Sequence, residues 1–180
     1  STCSPAEPGY YVSGSGATGH DPAPKGSYVS ITGATGPEDC PSRSYTSKTA
    51  QSKCSTWSTV TEDQYYSSPG TNVTDVGISN FTTCSGNDYT STAGSTGLPS
   101  KGDGRQPICT TATTCPTNQY TTRTLDPGSP LTTGKDISCG NKTTCDTGNR
   151  LLGYTHGDLT TLGSPGECTP CEKNKLDIEL

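Results

Sequence analysis

The chain has no methionine, one phenylalanine and one tryptophan among its 180 residues. Leu, Ile, Val and Phe together number 20, about a tenth of the sequence, well under the ~20% below which disorder is the ordinary expectation. That scarcity excludes a conventional hydrophobic core, because so little burial does not offset the entropy of ordering the backbone. No apolar run approaches the ~18 residues that a membrane span needs. Histidine is nearly absent too. His20 and His156 both stand in Gly-rich loops, away from any acidic and nucleophilic set, and each reads as a turn residue. No catalytic, cofactor-binding or metal-ligating residue is therefore expected, and no enzymatic activity. A net charge of -5, from 12 basic and 17 acidic residues, leaves no basic face for nucleic acid and no polybasic membrane anchor.

What is abundant is hydroxyl, turn residues and sulfur: 33 Thr, 22 Ser, 22 Gly, 14 Pro and ten Cys. Ten cysteines in such a chain read as disulfides formed in an oxidising compartment. Three sequons, Asn72-Val-Thr, Asn80-Phe-Thr and Asn141-Lys-Thr, mark candidate N-glycosylation sites. The expected location is extracellular, secreted or at the cell surface. A chain starting at Ser-Thr-Cys reads as a processed, mature form, and its final "KNKLDIEL" is not a retention tetrapeptide.

The cysteines are spaced as a repeat. "CTTATTC" (Cys109, Cys115) is followed thirty residues on by "CGNKTTC" (Cys139, Cys145). A tyrosine follows the second cysteine at the same offset in "CPSRSYTS" (Cys40, Tyr45), "CSGNDYTS" (Cys84, Tyr89) and "CPTNQYTT" (Cys115, Tyr120), with Arg150 in its place after Cys145. "CSTWSTVTEDQYYSS" keeps Tyr65 in register but has Val60 where the second cysteine belongs, and the next first position falls on Ile78. A fixed pattern with a period near thirty means tandem small modules. Losing a second cysteine and the following first cysteine together removes one bridge without an orphan thiol. Second positions then bond to following first positions, giving Cys40–Cys54, Cys84–Cys109, Cys115–Cys139 and Cys145–Cys168. In the chain-entropy account each such loop adds about 3 kcal/mol. Cys3 and Cys171 remain, bonded either to each other or between copies.

The first forty residues read differently. "YVSGSGATG" from Tyr11 and "YVSITGATG" from Tyr28 repeat at 17 residues and read as two short strands joined through "HDPAPKGS". This hairpin either covers one end of the molecule or offers an edge strand to a neighbour. The organisation expected is a Gly/Ser-rich β segment over 1–39, tandem cysteine-rich repeats over 40–171, and a tail, 172–180, forming a short helix or a terminal strand. No window has helical periodicity. The fold class is small, disulfide-rich, mainly β and irregular, an elongated rod of repeats that touch only their neighbours.

The pattern of Cys-x-x-Cys or Cys-x5-Cys with Pro-x-x-x-Tyr-Thr, in "CPSRSYTS", "CSGNDYTS", "CPTNQYTT", "CDTGNRLL" and the final "CTPC", resembles the cysteine-rich repeats of ephrin-receptor-like and tumour-necrosis-factor-receptor-like extracellular proteins. Protist surface and filament proteins carry similar units. The resemblance covers Cys40 to Cys171 and implies an elongated, non-enzymatic extracellular module. It also implies that Tyr45, Tyr89 and Tyr120 pack over the bridges of their modules. This sequence departs from it in the wide cysteine gap and the missing bridge.

Ser/Thr clusters near proline, "YTTRTLDPGSP" and "STAGSTGLPS", suit O-linked sugars, their plain alternative being a polar β surface. Lys101-Gly-Asp103 matches an integrin-binding tripeptide but reads as a solvated loop. Cys168-Thr-Pro-Cys171 has neither the βαβ setting of a redox pair nor the second ligand pair of a zinc site. The expectation is a structural glycoprotein, a protomer of an extracellular filament or surface coat assembled head-to-tail through its ends. The partners are then further copies of itself, with other surface proteins or glycans besides. The alternative is a receptor-like or adhesion ectodomain that binds a protein ligand.

Overall fold

One turn recurs seven times. A backbone N–H folds back on the carbonyl three residues earlier in Tyr10 on Glu7, Ser27 on Pro24, Ser44 on Pro41, Gln64 on Thr61, Asp88 on Ser85, Gln119 on Pro116 and Asn149 on Asp146. Proline opens three of these turns. In four, the third residue has positive φ: Gly9 at 92°, Gly26 at 83°, Gly148 at 90° and Arg43 at 63°. Glycine takes that conformation without steric cost, whereas Arg43 is strained there.

Each turn launches a short strand that pairs antiparallel with the next one in the chain. The computed structural model describes residues 3–171, and within them the pairs are β1 (Tyr10–Tyr11) with β2 (Asp21–Pro22), β3 (Ser27–Tyr28) with β4 (Glu38–Asp39), and β5 (Ser44–Tyr45) with β6 (Ser55–Thr56). They continue as β7 (Gln64–Ser68) with β8 (Gly77–Asn80), β9 (Asp88–Thr92) with β10 (Ile108–Thr111), β11 (Gln119–Arg123) with β12 (Ser138–Asn141), and β13 (Asn149–Leu152) with β14 (Glu167–Pro170). The described residues contain no helix. This is a small disulfide-rich fold of two-stranded ladders and irregular loops. The tail 172–180 lies outside the described residues.

One expectation is corrected. The two Tyr-Val-Ser repeats do not pair with each other: Tyr10–Tyr11 pairs with Asp21–Pro22, and Ser27–Tyr28 with Glu38–Asp39. Their strands begin at residues 10 and 27, and the first cysteine-bearing module begins its strand at 44, again 17 on. The N-terminal segment is thus two further copies of the same turn-and-hairpin unit, with alanine where cysteine would stand. Ala6 and Ala23 precede their turns as Cys40 precedes its own.

The chain divides into two compact units. The first runs to Phe81 and includes Ser95–Arg105; the second is Thr82–Gly94 with the residues from Gln106 on. The first buries Ala6, Ala23, Val29, Tyr66 and Val76, and the second Cys115 and Ile137. Disulfides divide the other way. Cys40–Cys54 lies in the first unit; Cys84–Cys109, Cys115–Cys139 and Cys145–Cys168 lie in the second. These are the pairs that joining each second cysteine to the next first cysteine gives.

Candidate functional site, a repeated interlock between modules

The residue six places after the second-cysteine position is the pivot of every module. Those residues are Val12, Val29, Thr46, Tyr66, Thr90, Thr121 and Leu151. Val29, Thr90 and Thr121 have 2% exposure or less, and Thr46 and Tyr66 are also buried. In three cysteine-bearing modules the pivot is threonine and its hydroxyl faces sulfur. Thr46 Oγ1 lies 3.9 Å from Cys40 Sγ, Thr90 Oγ1 3.4 Å from Cys84 Sγ and Thr121 Oγ1 3.7 Å from Cys115 Sγ. In the two N-terminal modules, Ala takes the cysteine's place and Val the threonine's, so an apolar pair fills the same spot.

The register shows that the missing bridge keeps its geometry. Thr90 stands opposite Cys109, Thr121 opposite Cys139 and Leu151 opposite Cys168. Tyr66 stands opposite Ile78 in the same way. Ile78 therefore occupies the place of a first cysteine in the ladder as well as in the sequence.

The pivot's backbone joins each module to the next. Its N–H donates to a carbonyl in the following module's loop: Val12 to Ala34 (3.0 Å), Val29 to Gln51 (3.0 Å), Thr46 to Asn72 (3.0 Å), Tyr66 to Thr96 (2.9 Å), Thr90 to Pro127 (2.9 Å) and Thr121 to His156 (2.8 Å). In the longer modules the same loop returns a bond, from the N–H groups of Gly104, Gly134 and Gly163 to the carbonyls of Tyr66, Thr90 and Thr121. A buried backbone group left unpaired is costly, so a buried pivot needs the neighbouring loop in place. That dependence is the physical content of module stacking.

A second latch lies beside it. The residue two places before the second-cysteine position presents its N–H to a side chain or carbonyl three places before the next first-cysteine position. Ser58 donates to Asp75 (2.8 Å), Thr82 to Gln106 Oε1 (2.9 Å), Thr113 to Asp136 (3.1 Å) and Thr143 to the Pro165 carbonyl (3.0 Å). Sequence reasoning missed both the pivot and the latch. Their signals were present, as the threonine that always follows the tyrosine in "CPSRSYTS", "CSGNDYTS" and "CPTNQYTT", and as the Asp or Gln three before Ile78, Cys109 and Cys139.

Tyr45, Tyr89 and Tyr120, expected over the bridges, are half-buried. Each precedes a pivot, so its side chain leaves the strand on the opposite face from the threonine that meets the sulfur. The Tyr120 ring covers Gly140, where an added Cβ would fall within 2.9 Å of it. Tyr65 does the same at Gly104 and stacks on Phe81 with centroids 5.2 Å apart.

The three sequon asparagines are exposed. Asn80 and Asn141 occupy one repeat position, each accepting from the glutamine opposite it, Gln64 and Gln119, at 3.0 Å. Asn72 gives its carbonyl to Thr46, and its side chain lies against Gly26. Of the histidines, His20 sits edge-on to Tyr10, centroids 4.3 Å apart. His156 Nδ1 donates to the Gln119 carbonyl at 2.9 Å beside the Tyr154 hydroxyl. Nearby Asp158 accepts from the backbone N–H of Thr160 and Thr161 at 2.7 Å each and from the Thr160 hydroxyl. These bonds, the Thr160 N–H first, hold its carboxyl down to about 2 against an ordinary 3.8.

In the Lys101-Gly102-Asp103 tripeptide, the Asp103 carboxylate accepts from the Leu98 N–H at 2.8 Å, closing its own loop. Cys168 is bonded to Cys145 rather than to Cys171. Cys3 is exposed, and Cys171 places its N–H on the Gly148 carbonyl at 2.8 Å. No helix among the described residues is long and apolar enough to cross a membrane.

One groove of about 580 Å³ opens in the first unit. Trp57, Arg43 and Leu98 line it with Asn72 and neighbouring Ser and Thr side chains. The indole N–H donates to the Thr71 carbonyl at 3.0 Å, and the ring lies over Gly70. Comparison of the chain with protein-family models and with curated proteins returns no match.

Proposed function

We propose that this chain is a structural glycoprotein, a protomer of an extracellular filament or surface coat that assembles head-to-tail. One observation carries the reading: six times along the chain, a buried pivot residue gives its N–H to the loop of the next module. A unit whose burial is completed only by a neighbour is suited to serial stacking, and the same contact is available between copies. Four disulfides are compatible with an oxidising, extracellular setting. In this reading N-linked sugars on Asn72, Asn80 and Asn141, with O-linked sugars on the Ser/Thr clusters, shield a chain with little core. The likeness to ephrin-receptor-like and tumour-necrosis-factor-receptor-like repeats, and to protist filament proteins, fits the same role. The test is electron microscopy and non-reducing electrophoresis of secreted, glycosylated material. Fibrils or a regular coat are expected; a monodisperse monomer at all concentrations overturns the reading.

The Trp57 groove supports a second reading, an adhesion or receptor-like ectodomain. Arg43 adopts there the positive φ that the equivalent turns of the two preceding modules give to Gly9 and Gly26, and strain held at an exposed groove is a mark of binding sites. Saturable quenching of the lone tryptophan by a protein ligand, lost in Arg43→Gly, would favour it.

A further inference from the structure

The N-terminal repeats are twins, and one twin is missing its partner. "YVSGSGATG" and "YVSITGATG" place Gly16 where Gly33 stands and Ala17 where Ala34 stands. Their loops have the same shape at the glycine, with φ of 79° and 74°. In the second copy both groups are used. Gly33 N–H donates to the Ala6 carbonyl at 2.8 Å, and the Ala34 carbonyl accepts from the pivot Val12 at 3.0 Å. The third copy repeats this: Ala50 N–H donates to Ala23, and Gln51 accepts from the pivot Val29. In the first copy, among the described residues, neither Gly16 N–H nor the Ala17 carbonyl has such a bond, and Ala17 is exposed where Ala34 is half-buried. The loop is thus formed for a preceding module's pivot.

The last module has the complementary face. Leu151 holds the pivot position, opposite Cys168 in its ladder. The other six pivots send their N–H to a following loop; among the described residues, Leu151 sends its own to none. The carbonyl of Cys145, at the position of Ala6 and Ala23, receives no backbone bond among them, as is also true of Cys40, Val60, Cys84 and Cys115.

We infer that the first loop, Gly14 to Gly19, docks on the last hairpin of a second copy of this chain, repeating between molecules the pivot bond made six times within one and the return bond made twice, at Ala6 and Ala23. Leu151 N–H donates to the Ala17 carbonyl of the neighbouring copy, and that copy's Gly16 N–H donates to the Cys145 carbonyl. The two surfaces differ, so the contact is heterologous and propagates instead of closing on a pair. The inference rests on the assembly proposed above and names its interface.

Two substitutions test it in the 180-residue chain with Cys3 alkylated. Gly16→Pro removes the donor and excludes the positive φ of a loop tip whose glycine has no atom near its absent Cβ. Leu151→Pro removes the other N–H at an outward-facing strand position, where proline is tolerated. Disulfide mapping establishes that each variant retains the four bridges. Sedimentation velocity over a concentration series should show oligomers for the parent and at least tenfold weaker self-association for each variant alone. An equimolar mixture of the two variants should yield a one-to-one dimer and nothing larger, because each retains one competent end. Parent-like assembly by either variant, or a mixture without the dimer, overturns this interface while leaving assembly itself standing. A parent that stays monomeric throughout overturns both.

Discussion

Thr121 has about 1% exposure and joins three things: the Cys115 sulfur through its hydroxyl, the His156 carbonyl through its N–H, and Gly163 through its carbonyl. Only the first uses the side chain, and Val29 fills the equivalent place with no hydroxyl at all. Thr121→Val should therefore cost less than about 1 kcal/mol, read as the urea midpoint. Thr121→Asp, which buries a carboxylate without a cation, should prevent the second unit from folding. At Gly70 an added Cβ would fall 2.5 to 2.8 Å from the indole of Trp57. Gly70→Ala should then displace the ring, cost about 1–3 kcal/mol and shift tryptophan emission to the red. Asp158 has a folded value of about 2, depressed below that of the unfolded chain. Its hold on the loop is accordingly complete above the unfolded value and lost as pH falls through the folded one. The amide shifts of Thr160 and Thr161 should titrate with a midpoint about 2, and Asp158→Ala should abolish the transition.

The hairpin is the scale at which the sequence was most and least legible. Sulfur pairing could be read because one bridge had been replaced as a pair, Val60 with Ile78, leaving the pattern of the others visible. The structure places Ile78 opposite Tyr66, in a cysteine's register. Val60→Cys with Ile78→Cys should accordingly oxidise on folding and close a loop of 18 residues. The double variant should gain about 3 kcal/mol, seen as a higher denaturant midpoint and a mass lower by two hydrogens; the single variants should gain nothing. The N-terminal hairpins were not legible as modules because the cysteine that marks the others is alanine there. The usable signal was spacing, since Tyr11, Tyr28 and Tyr45 stand 17 apart and carry the repeat into the first cysteine-bearing copy. The pivot escaped notice for a different reason. Its role is performed by backbone groups, which no side-chain identity encodes, and Val, Thr and Tyr all serve.

For the whole molecule, the two units are stabilised unequally. The first holds most of the buried apolar side chains and one bridge; the second holds three bridges and few buried apolar groups. Graded reduction followed by hydrogen exchange should strip protection from Thr90 and Thr121 before Val29 and Tyr66. Simultaneous loss in both units would show that sulfur matters equally throughout. The unequal module lengths carry a further consequence. First strands begin at residues 10, 27 and 44, then at 64, 88, 119 and 149, yet turn, pivot and latch keep their offsets from one another. Most of the growth has gone between the two strands of a hairpin; the connector between hairpins lengthens once, from four residues to seven, after β6. Genetic insertions of a dozen residues are therefore tolerable there, while a single codon added between turn and pivot would reverse which side chains face inward. Length in this protein varies chiefly in one place per repeat, between the strands, and beyond that in a single step of the connector.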